Sequence, residues 1–181
     1  MDSPALGTLD WQPALDRPDL LAAPVTAALA GSGTGWFAAP IDPALADTAA
    51  FCATYGVPLE ASANCVVVAG RRGETTTLAA CLVLATDRAD VNKTVRRHLD
   101  VRKISFAPMT EAVSRTGMEH GGITPVGLPS DWPVLVDRGV VDAGWVVVGS
   151  GTRGGKLAVR GADLARLPGA AVLSLAVSAA G

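Results

Sequence analysis

Apolar and polar positions alternate between two periods along this chain. After a polar start, "PDLLAAPVTAALA" predicts one short helix over Pro18 to Ala30, bent near Pro24 because a proline ring obstructs a helix interior. "GSGTG" (Gly31 to Gly35) then breaks the chain, and Trp36 to Ile41 reads as a strand. Asp42-Pro43 supplies an N-cap and a first-turn proline for a helix ending at Tyr55, with Gly56 as its stop. Leu45, Ala49, Cys52 and Tyr55 form its expected inner stripe.

The strongest period-two signal follows. "ANCVVVAG" and "TTTLAACLVLAT" flank a turn at Arg71 to Glu74, predicting a hairpin. Both strands are apolar nearly throughout, so both faces are expected to be covered. Asp90 caps a helix, "VNKTVRRHL", that ends near Asp100. Lys103 to Phe106 is a short strand, and a helix runs from Pro108 to a stop at Gly117. Strands "PVLVD", "GWVVVGS" and "KLAVR" come next, then a helix over Asp163 to Leu167 and a candidate edge strand "AAVLSLAV". No internal repeat is visible. Hairpin, helix, strand, helix and strands in this order predict a mixed α/β domain of α+β character. Residues 1–35 read as an N-terminal helical extension and 36–181 as the main domain.

The connections carry the unusual features. "GMEHGGITPVGLP" (Gly117 to Pro129) holds four glycines and two prolines, too many for a helix or central strand. Ile123, Val126 and Leu128 are interleaved with them, so it is not a flexible linker. A second glycine loop spans Gly149 to Gly155. Both admit two readings: tight connections between strands, or pocket walls where bare backbone can approach a ligand.

Composition narrows the function classes. The 181 residues carry a net charge of −2, so nucleic acid is not held by bulk charge, and contact with RNA needs a local patch. Arg71 with Arg72, Arg96 with Arg97, and Arg153 with Lys156 are the candidate basic clusters, the last favoured for its place beside the glycine loops. DNA binding is not expected. Cys52, Cys65 and Cys81 lack metal-ligand spacing and read as reduced thiols of a cytoplasmic protein. His98 and His120 have no zinc spacing, so no metal is expected. "GSGTG" and "GSGTRGG" fit neither the P-loop nor the dinucleotide fingerprint, and no GxSxG elbow is present. No apolar run approaches the ~20 residues that span a bilayer, and the acidic N-terminus is no signal peptide.

The succession "NCVVVAG", "ADVNKTVRRHLDVRKISFA", "GGITPVGLP", "PVLVD" and "VVVGSGTRGGKLAVRGADLARL" resembles the YbaK family of aminoacyl-tRNA deacylases, relatives of the editing domain inserted in bacterial prolyl-tRNA synthetases. The resemblance covers roughly Trp36 to Leu173. Its most specific parts are the G-x-x-x-P loop, Gly121-Gly122-Ile123-Thr124-Pro125, and the strand and turn "VVVGSGTRGG". It implies a curved, largely antiparallel sheet surrounded by helices and hydrolysis of the ester of mischarged tRNA without a cofactor. It also implies a pocket for the aminoacyl group lined by the G-x-x-x-P loop; Gly149, Gly151 and Arg153 are the substrate-binding candidates that the second glycine loop itself offers. A mischarged tRNA is the implied partner, an aminoacyl-tRNA synthetase a further one.

One departure stands out. Where family members carry a lysine at the start of the first hairpin strand, this chain has Asn64. An asparagine can donate a hydrogen bond to a carbonyl or ribose oxygen but supplies no positive charge. Lys156, where some relatives carry an acid, can restore that charge from another strand; its plainer reading is a solvated residue at a strand start. Asn64 and Lys156 are the candidate catalytic residues. The alternative is a binding module of the same fold, catalytically weakened by loss of the lysine, that recognises tRNA ends, a nucleotide or a synthetase. Cys65 reads as core, Lys93 as solvent-facing, and His120 as a loop residue at the pocket's border.

Overall fold

A computed structural model describes residues 3–33 and 35–179. Thr34, within the expected Gly31–Gly35 break, lies outside the described residues, as do residues 1–2 and 180–181 of the two expected segments.

Eleven strands are described. A four-stranded antiparallel sheet takes the order β1 (Gln12–Pro13), β2 (Phe37–Pro40), β9 (Gly155–Arg160), β8 (Trp145–Gly149). A five-stranded sheet takes the order β10 (Ala170–Leu173), β7 (Val134–Asp137), β4 (Thr75–Leu84), β3 (Ala63–Arg72), β6 (Lys103–Phe106). Here β10–β7 and β7–β4 are parallel and the other pairs antiparallel. β5 (Asp87–Ala89) and β11 (Ala176–Ser178) form a third, two-stranded sheet. The mixed α/β class and the largely antiparallel pairing are as expected. The strands are divided between sheets, and a single bridge, Ser62 to Val147, joins the two large ones.

The sheets bury one face against each other. Val146, Val148, Leu157 and Val159 of the first meet Leu82, Val134 and Val136 of the second, and alternate residues point outward to separate clusters. Helix α1 (Ala23–Ala30) places Val25 and Leu29 in this central core. The N-terminal segment therefore packs with the rest, through Leu20, Leu21 and β1. Pro24 stands in the first turn of α1, where its missing N–H costs nothing, instead of bending a longer helix.

The expected helix after Asp42 is two elements. Asp42 caps a single 3₁₀ turn, Pro43–Leu45, and Asp47 caps α2 (Thr48–Tyr55) by accepting from the N–H groups of Ala49 and Ala50. The restart rotates the buried stripe: Phe51 and Cys52 are inside, while Ala49 is exposed. Asp90 accepts from Thr94, as a cap should, but the turn it caps, Val91–Val95, is a π-helix leading into α3 (Arg96–His98). Helix α4 (Met109–Thr116) ends at Gly117 with φ 67°. Two short helices, α5 (Arg138–Asp142) and α6 (Gly161–Leu164), close the core.

The hairpin β3–β4 lies inside its sheet. β4 is buried from Leu78 to Val83, whereas Asn64, Cys65 and Val66 at the start of β3 are only half-buried. That uncovered stretch opens the functional cleft.

Candidate functional site

A cleft of about 450 Å³ opens over the start of β3. Its walls come from four places: the N-terminus of α2 (Ala46 to Thr48), the end of β6 with α4 (Phe106, Met109, Ala112), the first glycine loop (His120, Gly121, Ile123), and the facing ends of β8 and β9 (Gly149, Lys156). Asn64 lies at its floor.

Asn64 is held by one contact. The Thr48 hydroxyl donates to its Oδ1 at 2.6 Å. This fixes the amide plane and leaves the Nδ2 donors unused among the described residues. Thr48 can do this because Asp47 starts α2 there, bringing the first helical residue against the sheet. Sequence reading missed Thr48; the D-T pair ahead of an apolar run is a helix-entry signal that could have found it.

Lys156 is not the solvated strand-start residue of its plainer reading. It is 7% exposed. Its strand is flanked by β2 and β8, and α2 covers the face it points to. The ammonium donates to the Ala46 carbonyl at 3.0 Å and stands 4.9 Å from the centroid of the Phe51 ring. Burial holds its pKa below the ordinary 10.5, with Cys52 and Asp47 pulling the other way and Arg153 adding to the fall.

The two glycine loops are pressed together. The Gly151 N–H donates to the Gly122 carbonyl at 2.8 Å, and the Glu119 N–H donates to the Gly151 carbonyl at 2.8 Å. A Cβ at Gly122 would lie 2.6 Å from the Thr152 carbonyl oxygen, and one at Gly149 would lie 2.5 Å from the Gly122 carbonyl oxygen. These glycines are bare because one backbone lies directly on the other. Arg153 fastens the assembly. Its guanidinium donates to the carbonyls of His120 and Pro43, and its own N–H donates to the Glu119 carboxylate at 2.6 Å.

The expected site residues therefore separate. Asn64, Lys156, Gly121, Ile123 and Gly149 line one cleft. Gly122, Thr124, Pro125 and Gly151 are buried behind it, and Arg153 lines a neighbouring groove with Glu119. The Thr124 hydroxyl is fully buried and makes no hydrogen bond among the described residues. The N–H groups of Gly121 and Ile123 likewise donate to no described group.

Cys65 packs against the central core, and burial pushes its thiol up to about 12. It is a protonated, poor nucleophile at neutral pH. Among the described residues, no three His, Cys, Asp or Glu side chains gather as a metal site, and no helix is long and apolar enough to cross a membrane.

The cleft thus combines, in a mixed α/β fold, the Asn64 amide, the buried Lys156 ammonium and the backbone of the first glycine loop. The chain belongs to the aminoacyl-tRNA editing domain family, whose model matches residues 42–167. No curated protein gives a significant sequence match. Among solved structures, a candidate trans-editing enzyme for prolyl tRNA synthetase superposes with a TM-score of 0.74 at 23% identity, over 87% of this chain and 97% of that one. A hypothetical protein gives 0.76 at 21% identity, over 85% and 99%. A candidate signal transduction protein from Marinobacter aquaeolei VT8 gives 0.62 at 20% identity, over 89% of this chain and 32% of the other. Likenesses this distant carry the fold.

Proposed function

We propose that this chain is a trans-acting deacylase that cleaves the ester of mischarged tRNA. The observation that carries the reading is that one small cleft is lined by Asn64, Gly121 and Ile123, whose Asn64 Nδ2 and Gly121 and Ile123 N–H groups donate to no described group. An aminoacyl ester is already reactive. Its hydrolysis needs a placed water or ribose hydroxyl and donors for the oxyanion that develops on the carbonyl. No serine or cysteine nucleophile is required, and Cys65 is held protonated.

In this reading Asn64 orients the ester through its amide N–H. The Gly121 and Ile123 N–H groups receive the carbonyl oxygen as it gains charge. Lys156 contributes a fixed positive charge from below, replacing the one an asparagine cannot supply. Attack by water, which the vicinal ribose hydroxyl can help to place, adds its oxygen to the carbonyl; the C–O bond to the ribose then breaks, the ribose oxygen takes up a proton, and the free amino acid and the deacylated 3′ end are released. Pocket size, set by the locked glycine loops, selects the aminoacyl group.

The test is a deacylation screen of the purified protein against a panel of mischarged tRNAs, with Asn64→Ala alongside. Asn64→Ala removes a group that orients the ester; the roughly 100–1,000-fold cost of losing one oxyanion donor in other enzymes sets the upper bound of the fall expected here, with the fold intact. Inactivity of the wild type on every tRNA, with tRNA binding retained, favours the binding module instead.

A further inference from the structure

Phe106 has no place in the fold's own packing. It is 67% exposed and belongs to none of the four apolar clusters. It ends β6, the outer strand of the five-stranded sheet, and stands on the lip of the cleft beside Met109, itself 45% exposed. Large exposed apolar groups side by side mark a contact surface. The chemistry of the cleft says what the contact is. If the cleft holds the aminoacyl ester, the ester oxygen belongs to the ribose of the terminal nucleotide. That sugar's base must then emerge at the mouth, one ribose away from the carbonyl.

The charge distribution gives the strand a direction. Phe106 also borders a second groove, which it shares with Arg88, Asn92 and Val177. Beyond Asn92, a further depression is lined by Lys93, Arg96 and Arg97 together with Asp100 and Val101, three bases to one acid. Six of the chain's fifteen Lys and Arg residues fall between Arg88 and Lys103, against two acids, in a protein of net charge −2. On the opposite side of the cleft the favoured basic pair is spent: the Arg153 guanidinium is tied to two carbonyls and Lys156 is buried.

We propose that Phe106 is the stacking platform for the terminal nucleobase of the RNA substrate. From it, the strand continues over the Arg88–Asn92 groove toward Lys93, Arg96 and Arg97. This rests on the deacylase reading for the ester's position. An aromatic face accepts any base, so the platform serves the tRNA end without reading its sequence; discrimination is left to the cleft. The basic depression holds phosphates, which makes binding fall as salt rises.

The experiment titrates the full-length protein with the trinucleotide CCA, which carries no ester, and measures affinity for wild type, Phe106→Ala, Phe106→Leu and Phe106→Trp. Loss of one base-stacking ring costs about five- to one-hundred-fold in affinity. That loss is expected for alanine and leucine, with tryptophan restoring binding. Leucine keeps apolar area but no ring, so it separates stacking from plain hydrophobic cover. In the Trp variant, an exposed indole joins native ones that are buried or half-buried, and its quenching by the bound base reports contact directly. Alanine substitution of Lys93, Arg96 and Arg97 should flatten the salt dependence. Unchanged CCA affinity in Phe106→Ala overturns the platform and leaves the rim to a protein partner. Ring-dependent CCA binding by a protein that deacylates nothing upholds the platform while overturning the deacylase reading, so the two fail separately.

Discussion

The cleft has one wall that is locked and one that is open. On the glycine-loop side, backbone lies on backbone and Arg153 ties its own loop to two segments, Pro43 and Glu119–His120, with charge-assisted hydrogen bonds. On the β6–α4 side, Phe106 and Met109 present bare apolar surface and belong to none of the buried apolar clusters. The difference separates two tasks. A pocket that rejects wrong aminoacyl groups by size must not yield, because one methylene is worth only about 1–3 kcal/mol of discrimination and slack in the wall erases it. A surface that receives the shared end of every substrate needs area and tolerance instead.

Breaking the locked wall should give the largest effect. Gly149→Ala sets a Cβ against the Gly122 carbonyl, and neither backbone can retreat. Overpacking of this kind costs about 1–3 kcal/mol, seen as a lower denaturant midpoint with the slope unchanged. Deacylation should fall with it, and discrimination between aminoacyl groups should loosen. A Gly149→Ala protein as stable and as selective as wild type means the loops are not pressed together as described.

Beneath that wall, Lys156 sharpens the contrast through pH. Its folded pKa lies below 10.5, so above the folded value the unfolded chain binds more protons and stability rises with pH until 10.5 is reached. The penalty for burying the ammonium is therefore present at neutral pH and relieved as the solution becomes alkaline. Lys156→Met should abolish that alkaline rise in a pH series of unfolding curves. In the wild type, turnover should decline over the same alkaline range, as the positive charge beneath the ester is lost. Turnover that holds steady there removes Lys156 from the chemistry.

The open rim should give the smallest change in stability. Met109→Ser alters an exposed side chain outside the core and should move stability by no more than about 0.5 kcal/mol. A larger loss, measured by the same unfolding curves, makes the rim part of the packed structure and dissolves the contrast.

Much of this architecture was legible locally. The β3–β4 hairpin follows from its apolar runs and two-residue turn, and the Gly56 and Gly117 helix stops from left-handed positions that glycine fills without strain. The break between Leu45 and Thr48 was missed because Asp42-Pro43 and Asp47-Thr48 are both good helix starts; the packing of Phe51 and Cys52 selects the second for the α-helix. Phe106 left no signal, since an aromatic residue ending a short strand ordinarily points inward.

The same division runs through the site. The sequence by itself determined the succession of the longer strands along the chain, the two glycine loops and the presence of asparagine at the head of β3, because these depend on neighbours a few residues away. Only the tertiary structure decided that Lys156 is buried, that Arg153 is a latch and that Thr48 holds Asn64. Each of those depends on a partner between 16 and 110 positions distant in the chain. Burial and hydrogen bonding are properties of what packs above a residue, and that is set by how α2 and the glycine loops close over the sheets.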